Sequence, residues 1–298
     1  MISVVILTLN SIKFLKPCLD SLLSQEPAVM ELIIVDNGSS DGTVTFIKEN
    51  YPQVILIKNK FNLGAAKARN QRIEKARGEW ILSLDCDVVL DKNFFCNIDN
   101  ILKGLPTGIG LIQPKIFGPK EKIIYSAGIT ISFLRRFFDI GKGQRDRGQF
   151  DKTKYIFGAC SAAALYSKKM LDDIKQYGDY FDANFFFLFE DVDLSWRSRN
   201  KKYKAVFCPE AVCYHHGNSS ETPNKIRQYL CLRNRYYTLL KNDSMRNYIL
   251  PFLLYDLPRL IWLCIINPHA LKAIKEVFVY SSKLRHLNEA TRRESRIC

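Results

Sequence analysis

The sequence lacks the features that identify several large classes of protein. Its nine cysteines include no C-x₂-C pair and give an odd count, so they form no disulfide framework and fit reduced thiols in a cytosol. Cys208 and Cys213 lie near His215, but their spacing matches no standard zinc pattern, and a structural zinc site is not favoured. We find no secretory leader with a basic start and a small-residue cleavage site, and therefore expect a cytoplasmic protein.

Uninterrupted apolar runs and nucleic-acid modules are also missing. The apolar segment at residues 248–266 is interrupted by Asp256, Pro258 and Arg259, which argues against a transmembrane span. Basic residues flank it on both sides, so an amphipathic helix in a lipid interface and an ordinary packing or dimer helix fit equally well. The net charge of +14 indicates an anionic partner. Without a recognised module, nucleic acid is the least favoured of these partners.

What the sequence does contain is a regular alternation of strands and helices. Apolar patterns predict strands at residues 2–9, 31–36, 53–57 and 80–87, and helices at residues 14–23, 43–49 and 64–77. This alternation predicts an α/β fold with a parallel sheet, whose ligands gather at the carboxyl ends of the strands. With 298 residues and 47% hydrophobic content, the chain can bury one large core and still carry an extension.

Acidic residues end two of the predicted strands. Asp85 and Asp87 are one residue apart, and because residues i and i+2 share a face of a strand, both carboxylates can face one ligand. Such a pair suits a divalent cation with attached phosphates, although D-x-D alone is more often a solvated turn. Asp36 ends the second strand and can accept hydrogen bonds from a nucleobase or ribose. In the loop that follows, Ser40 or Asp41 can cap the next helix.

A second acidic pair, Glu190 and Asp191, follows five apolar residues at a predicted helix start. The apolar residues would raise the pKa of a neighbouring carboxylate toward useful basicity, whereas the helix start would lower it, and the sequence leaves the balance open. A structural cluster of acids at a helix N-terminus is the alternative. In the segment at residues 62–70, small residues at a predicted helix start permit either close approach of a ligand or tight helix packing.

Together these segments resemble family 2 glycosyltransferases with a GT-A fold. The similarity rests on ordered motifs, which are Val4–Asn10, Val35–Thr43, Asn62–Gly64, Asp85–Asp87, Phe157–Ala163 and Phe189–Arg197. It covers residues 2 to about 240 and is nearest the rhamnosyltransferase-like branch. The resemblance implies a GT-A domain at residues 1–240, a mainly parallel mixed sheet flanked by helices. Residues 241–298 would then form a basic, partly hydrophobic helical extension that is membrane-proximal or dimeric.

The resemblance also implies roles for individual residues. Asp191, with Glu190 beside it, matches the catalytic base. The donor nucleotide would contact Thr8, Asn10, Asp36, Asn62, Gly64 and Asp85. Asp87 and His215 would hold Mg²⁺ or Mn²⁺, and the acceptor would contact Gly158, Ala159 and Trp196. The Gln-x-x-Arg-Trp motif of cellulose-synthase-like members is absent, and residues 214–220 take its place.

These observations predict an inverting, metal-dependent glycosyltransferase that uses a UDP- or dTDP-sugar. Rhamnose is the first expectation for the sugar, with glucose, galactose and N-acetylglucosamine next. The acceptor would be a glycan or lipid-linked glycan in surface polysaccharide synthesis. Association with the inner membrane face and a homodimer are both compatible with the basic extension. Two alternatives remain, a sugar-phosphate nucleotidyltransferase that releases pyrophosphate and a non-catalytic, membrane-associated nucleotide-sugar binder.

Overall fold

Alternating strands and helices build a ten-stranded mixed sheet with helices on both faces. The structure is a computed structural model that describes residues 1–27, 31–217 and 222–294. Its strands are β1 (Ile2–Thr8), β2 (Glu31–Asp36), β3 (Ile55–Lys58), β4 (Trp80–Asp85), β5 (Val88–Leu90), β6 (Ile109–Phe117), β7 (Ile124–Ser126), β8 (Ile129–Ile131), β9 (Phe137–Asp139), β10 (Lys154–Ile156), β11 (Ala163–Ser167) and β12 (Lys204–His215).

The helices in chain order are α1 (Ile12–Leu23), α2 (Thr43–Asn50), α3 (Ala65–Lys75), α4 (Phe94–Lys103), α5 (Lys168–Ile174), α6 (Glu190–Asn200), α7 (Asn224–Asn242), α8 (Met245–Pro251), α9 (Leu257–Ile266) and α10 (Lys272–Glu294). Short helical turns lie at Ala183–Phe185, Phe252–Asp256 and Pro268–Leu271. Residues 218–220 of the segment predicted to replace the Gln-x-x-Arg-Trp motif lie outside the described residues.

The N-terminal half of the sheet is parallel, as the sequence predicts. The strand order is β10-β12-β6-β11-β4-β1-β2-β3, and β3, β2, β1 and β4 run parallel, while β11 lies antiparallel beside β4. The register sets Thr8 opposite Asp36 and Leu7 opposite Asp85. The two strand-ending acids therefore flank the end of β1, and the predicted fold class is confirmed.

The predicted bounds of β2 are confirmed, and those of β1, β3 and β4 differ by one or two residues at one end or both. All six residues of β2 are buried, as expected for a parallel strand covered on both faces. β3 begins at Ile55 rather than at residue 53, because the N–H group of Val54 donates to the carbonyl of Tyr51 and closes a turn first. β4 stops at Asp85, since the next two residues turn into β5.

Helices cover each face of the sheet with a separate apolar cluster. α1, α2 and α4 pack on one face, where Leu19 and Phe94 are fully buried. α3, α5 and α6 pack on the other, where Ile73 and Leu194 are fully buried. The carboxyl ends of the parallel strands are left open between these layers, and this opening positions the site.

The C-terminal helices lie beside α7, which ends near the predicted domain boundary. The division at residue 240 itself stays a prediction. Arg246–Ile266 forms a 21-residue helical stretch that is long and apolar enough to span a membrane by length and composition. Pro258 does not interrupt it, because the chain passes directly from the helical turn Phe252–Asp256 into α9, with Pro258 in the first turn of α9. Helical continuity therefore does not exclude a span, contrary to the argument from the sequence.

Candidate active site

A cavity of about 500 Å³ opens at the carboxyl ends of β1 and β4. It is lined by the end of β1, the turn before α3, the end of β4, the run Phe186–Phe189 before α6, the first two residues of α6, His215 of β12 and the first turns of α7. Small-molecule sites commonly measure about 300–1,000 Å³, so this volume suits a ligand of nucleotide size. The crevice predicted at the strand ends is therefore present.

Two carboxylates and an imidazole meet beside the cavity, which Asp85 and His215 line, while Asp87 is buried. Asp85, Asp87 and His215 each offer a ligand atom, and these atoms lie within 4.8 Å of one another. Carboxylate oxygens suit Mg²⁺ and Mn²⁺, and the added imidazole favours Mn²⁺ of the two. The residues thus fit the divalent cation predicted from the sequence.

Strand pairing brings His215 to the two acids from far along the chain. β12 pairs antiparallel with β5 and sets His215 opposite Val88, and the N–H group of His216 donates to the carbonyl of Asp87 at 3.0 Å. His215 Nε2 lies 3.3 Å from Asp87 Oδ1. Burial lowers the pKa of His215, but the hydrogen bond and charge of Asp87 outweigh burial and raise that pKa overall.

Asp36 lies just beneath the cavity rather than on its surface. It is 1% exposed, and its Oδ2 accepts hydrogen bonds from the N–H groups of Gly38 and Ser39 at 3.2 and 3.0 Å. Its Oδ1 has no hydrogen-bond partner among the described residues, and the contact of Asp36 with a nucleobase stays a prediction. Thr8, on the neighbouring strand, is also buried.

The loop after β2 is tied to the loop after β1. Asn10 Oδ1 accepts a hydrogen bond from the N–H group of Ser40 at 2.8 Å. Asp41 accepts from the N–H groups of Thr43 and Ile12 at 3.0 and 3.1 Å, and so holds the starts of α2 and α1. The N-cap of α2 is Gly42 rather than Ser40 or Asp41, and Asn10 is not among the described residues that line the cavity.

Asn37, which the sequence analysis did not single out, organises the cavity wall formed by the turn before α3. Its Oδ1 accepts from the N–H group of Leu63 and from Asn59 Nδ2, both at 3.0 Å, and its Nδ2 donates to Asn62 Oδ1 at 2.8 Å. Asn62 Oδ1 also accepts from the N–H group of Gly64 at 2.9 Å. The position of Asn37 directly after a strand-ending acid is the signal that could have revealed it.

Gly64 lines the cavity, but packing is what requires a glycine there. Its φ is +84°, and a Cβ atom would lie 2.5 Å from the ring of Phe186. Side chains rarely adopt this φ, and no side chain fits the space. Of the two explanations that the sequence leaves open, tight packing is therefore the one supported.

A second wall carries Glu190 and Asp191 at the start of α6. Asp191 is half-buried, lines the cavity, and its Oδ2 accepts from the N–H group of Ser161 at 3.1 Å. Burial and the charge of Glu190 raise the pKa of Asp191 to about 7, although the hydrogen bond from Ser161 and the charge of Arg69 lower it. Burial therefore dominates the balance that the sequence left open, and a pKa in this range suits a general base.

Arg69 of α3 links the two walls and was also missed by the sequence analysis. Its buried guanidinium forms an ion pair with Glu190, and its Nη2 lies 3.2 Å from Asp85 Oδ1. The charge of Glu190 is thus neutralised by a structural partner, while Asp191 faces the cavity. This arrangement favours Asp191 as the base. An arginine among the alanines of α3 was the available signal.

The aromatic run before α6 forms the predicted apolar wall, except at its first residue. Phe186–Phe189 line the cavity, and three of these four residues have positive φ values of 63 to 70°, which are uncommon for residues other than glycine. Asn234 Nδ2 of α7 lies 2.7–3.0 Å from three carbonyl oxygens of the run and holds this backbone in place. Phe185 turns away and packs on Tyr237.

The three predicted acceptor residues are not among the described residues that line the cavity. Trp196 packs against two phenylalanine rings. A Cβ atom at Gly158 would lie 2.2 Å from Ser195 Oγ, to which the N–H group of Ala159 donates at 3.3 Å. These residues pack the loop on α6, and residues 160–162 line the cavity instead. The acceptor roles stay predictions.

Comparison with known protein families identifies the family to which this chain belongs. Residues 3–175 match the family described as Glycosyl transferase family 2. The chain belongs to this family. The matched region includes Asp36, Asp85 and Asp87, and it confirms the family resemblance drawn from the sequence. Glu190, Asp191 and His215 lie beyond it.

Curated relatives carry the similarity into the second half of the chain. The poly-beta-1,6-N-acetyl-D-glucosamine synthase of Staphylococcus epidermidis is 27% identical over 217 residues, which are 72% of this chain and 49% of that protein. The synthase of the same name in Staphylococcus aureus strain COL is 25% identical over 69% of this chain and 47% of its own length. The chain thus spans about half the length of these relatives.

Solved structures share the GT-A fold at low identity. S. aureus TarS in complex with UDP-GlcNAc has a TM-score of 0.59 and 16% identity, covering 94% of this chain and 81% of that one. The mannosyltransferase PcManGT from Pyrobaculum calidifontis, in complex with GDP-Man and Mn²⁺, has a TM-score of 0.56 and 15% identity over 97% and 79%. GalNAc-T7 with UDP, GalNAc and Mn²⁺ has a TM-score of 0.61 and 14% identity over 80% and 47%.

Proposed function

We propose that this protein is an inverting, metal-dependent glycosyltransferase that moves a sugar from a UDP- or dTDP-sugar to a glycan or lipid-linked acceptor in surface polysaccharide synthesis. One observation carries the proposal: Asp85 and His215 of a metal-type donor set line the same cavity as Asp191, a carboxylate whose pKa is raised to about 7. A nucleotidyltransferase has no need of a base, because its sugar phosphate is already an anion. A non-catalytic binder has no need of one either.

The donor side of the cavity would bind the nucleotide diphosphate. Asp85, Asp87 and His215 would hold Mn²⁺ or Mg²⁺, in keeping with their donor chemistry. When bound, the cation neutralises the diphosphate and stabilises the departing nucleoside diphosphate. Lys142 and Arg227 also line the cavity, and their positive charges would stabilise the negative charge of the leaving diphosphate.

The base side of the cavity would activate the acceptor. Asp191 accepts the proton of the acceptor hydroxyl as that oxygen attacks the anomeric carbon. A bond forms between the acceptor oxygen and C1, the bond from C1 to the diphosphate oxygen breaks, and its electron pair leaves with the nucleoside diphosphate. Because Glu190 is held by Arg69, it is not placed to act as a second nucleophile. A single displacement inverts the anomeric centre.

The names of relatives and neighbours support UDP-N-acetylglucosamine as the first donor to test. The curated relatives are named as synthases of an N-acetylglucosamine polymer, and TarS was solved with UDP-GlcNAc. dTDP-rhamnose, the first expectation from the motif resemblance, has no support from these names and is the second donor. The presence of Mn²⁺ in two neighbouring structures supports Mn²⁺ as the first cation. A cytoplasmic location and a homodimer stay predictions.

A donor screen tests the proposal. Purified protein is incubated with UDP-N-acetylglucosamine, UDP-glucose, UDP-galactose or dTDP-rhamnose, with Mn²⁺, Mg²⁺ or a chelator, and with or without glycan and lipid-linked acceptors. We expect release of nucleoside diphosphate that requires both cation and acceptor. Release of pyrophosphate from a nucleoside triphosphate and a sugar phosphate would instead indicate a nucleotidyltransferase. Donor binding without turnover under every condition would indicate a binder.

A further inference from the structure

The outer face of α8 and α9 is apolar and exposed. Nine large side chains between residues 249 and 266 are at least 40% exposed, and we call them the apolar face: Ile249, Leu250, Leu253, Leu254, Leu257, Ile261, Trp262, Ile265 and Ile266. On α10, Phe278 and Val279 are exposed as well. An exposed apolar surface of this extent marks an interaction site.

The one carboxylate of this helical stretch points the other way, toward α7. Asp256 is fully buried, and its two oxygens accept from Nε and Nη2 of Arg235, each at 2.8 Å. The hydroxyl of Tyr248 donates to the same carboxylate at 2.9 Å. A membrane-spanning arrangement would carry Asp256 away from Arg235 into the hydrocarbon, where an unpaired charge is costly. With this ion pair intact, only the outer face is free to meet lipid.

The exposed charges around the apolar face are positive. Residues 245–284 contain five lysines and arginines and two acids, and both acids form ion pairs with arginines of α7. Arg246, Lys272 and Lys275 are exposed. Lys275 precedes Phe278 and Val279 by three and four residues, so it shares a face of α10 with them. Apolar side chains bordered by exposed cations complement an anionic lipid surface.

α7 connects the apolar face to the catalytic cavity. Ile226 and Leu230, in its first turns, line the cavity. On another side of α7, Leu232 packs on Leu263 of α9. Asn267, just after α9, donates to a glutamine side chain of α7 at 2.7 Å. Because one helix is about 10 Å across, a surface bound by α9 lies close to the cavity wall.

We propose that the apolar face docks in the plane of an anionic bilayer surface, with its side chains at the boundary between headgroups and acyl chains. Docking brings the α7 side of the cavity to the lipid, so the acceptor is an amphiphile held in the same leaflet. This assignment of acceptor class rests on the proposed glycosyltransferase function. The docking itself does not.

Sedimentation with vesicles tests the docking. Full-length protein is mixed with vesicles of phosphatidylcholine, alone or with phosphatidylglycerol, at low and high salt. We expect binding to the anionic vesicles that weakens with salt. Replacing Leu254 and Ile261 together by glutamate should lower partitioning by at least about tenfold, because two buried side chains are lost from the lipid. Lys275→Gln should lower it roughly fivefold.

The matched control is Ile55→Glu, an apolar-to-acid change at an exposed position of the edge strand β3. It should leave partitioning unchanged. Wild-type protein that binds neither vesicle, or a double glutamate variant that binds like wild type, would overturn the docking. Dimerisation that the double variant abolishes, without vesicle binding by the wild type, would assign the face to a second copy of the chain.

Depth measurements separate an in-plane helix from a spanning one. Quenching of Trp262 by lipids brominated at different depths is compared with quenching of an indole introduced by Leu254→Trp in a Trp262→Phe background. The Trp262→Phe protein supplies the signal of the two other tryptophans. In-plane docking predicts the same shallow depth for both indoles. A spanning helix would set them about 12 Å apart in depth, and that result would contradict the proposal.

Turnover measurements distinguish a failure of the docking proposal from a failure of the proposed function. The double glutamate variant should keep wild-type turnover with a water-soluble acceptor and lose it with an acceptor embedded in anionic vesicles. Equal turnover on the embedded acceptor would overturn the assigned acceptor class. Wild-type protein that sediments with vesicles but transfers from no donor would retain the docking and remove the proposed function.

Discussion

The two walls of the cavity are built in different ways. The donor wall is assembled from residues close together along the chain or on paired strands: Asp85 and Asp87 are separated by one residue, and β5 brings His215 beside them. The base wall depends on buried side chains from distant helices, Arg69 of α3 and Asn234 of α7. We infer that the donor wall binds the nucleotide, and that this binding persists when the base wall is changed. Proton transfer, in contrast, depends on Arg69 and Asn234.

The largest expected effect is at the base itself. Asp191→Asn keeps the shape of the side chain but cannot accept a proton, so turnover should fall by roughly 10²–10⁴-fold. The matched control is Asp172→Asn, an exposed position on α5, which should leave turnover unchanged. Steady-state rates with saturating donor are the measurement. Wild-type turnover by Asp191→Asn would move the base to another residue.

The next largest effect concerns the link between the walls. Arg69→Met leaves two carboxylates without their cation, and breaking a buried pair of this kind should lower the free energy of unfolding by about 3–5 kcal/mol. Adding Glu190→Gln removes one of those charges and should recover part of the lost free energy of unfolding. Denaturant unfolding of the single and double variants measures both. No recovery in the double variant would show that Arg69 acts through packing rather than charge.

The pH dependence of turnover should report the pKa of Asp191. Only the ionised carboxylate accepts a proton, and the ionised fraction rises with pH through about 7. Turnover at pH 6 should therefore be roughly tenfold below its plateau at alkaline pH. Because Arg69 lowers this pKa, Arg69→Lys, which weakens the pair, should move the midpoint upward. A rate that is flat from pH 6 to pH 8 would contradict a base with this pKa.

The smallest effect is expected at the donor wall. Asn37→Ala removes the amide that holds Asn59, Asn62 and the N–H group of Leu63, without touching the acids. We expect the KM for donor to rise about fivefold with kcat unchanged, since roughly 1 kcal/mol of organisation is lost. Initial rates over a range of donor concentrations separate the two constants. A fall in kcat instead would mean that the walls do not act separately.

The sequence identifies the acids of the proposed site, and it misses the residues that hold them in place. Asp85, Asp87 and Asp191 are recognisable because strand ends and helix starts fix such residues by local geometry. Arg69 and Asn37 are not, since their partners are chosen by how α3 packs against the sheet and by how three loops meet. Trp196 shows the converse, because a motif residue was assigned to the acceptor while the structure packs it among aromatic rings.

The same limit applies to the C-terminal helices. In the sequence, Asp256 interrupts an apolar segment. In the structure it is the attachment of that segment to α7, because Arg235 neutralises it. A pattern of apolar and charged residues cannot show which charges are paired across elements. Only the packing separates the inner face of α8 and α9 from the exposed one.

Titration calorimetry tests most directly whether the two walls act separately. UDP is titrated into wild type, Asp87→Ala and Asp191→Asn, each with Mn²⁺ and with a chelator. We predict that Asp87→Ala loses the Mn²⁺-dependent part of UDP binding. Asp191→Asn should bind UDP as tightly as wild type although its turnover is lost. Unchanged Mn²⁺-dependent binding by Asp87→Ala, or loss of UDP binding by Asp191→Asn, would contradict the division between a binding wall and a proton-transfer wall.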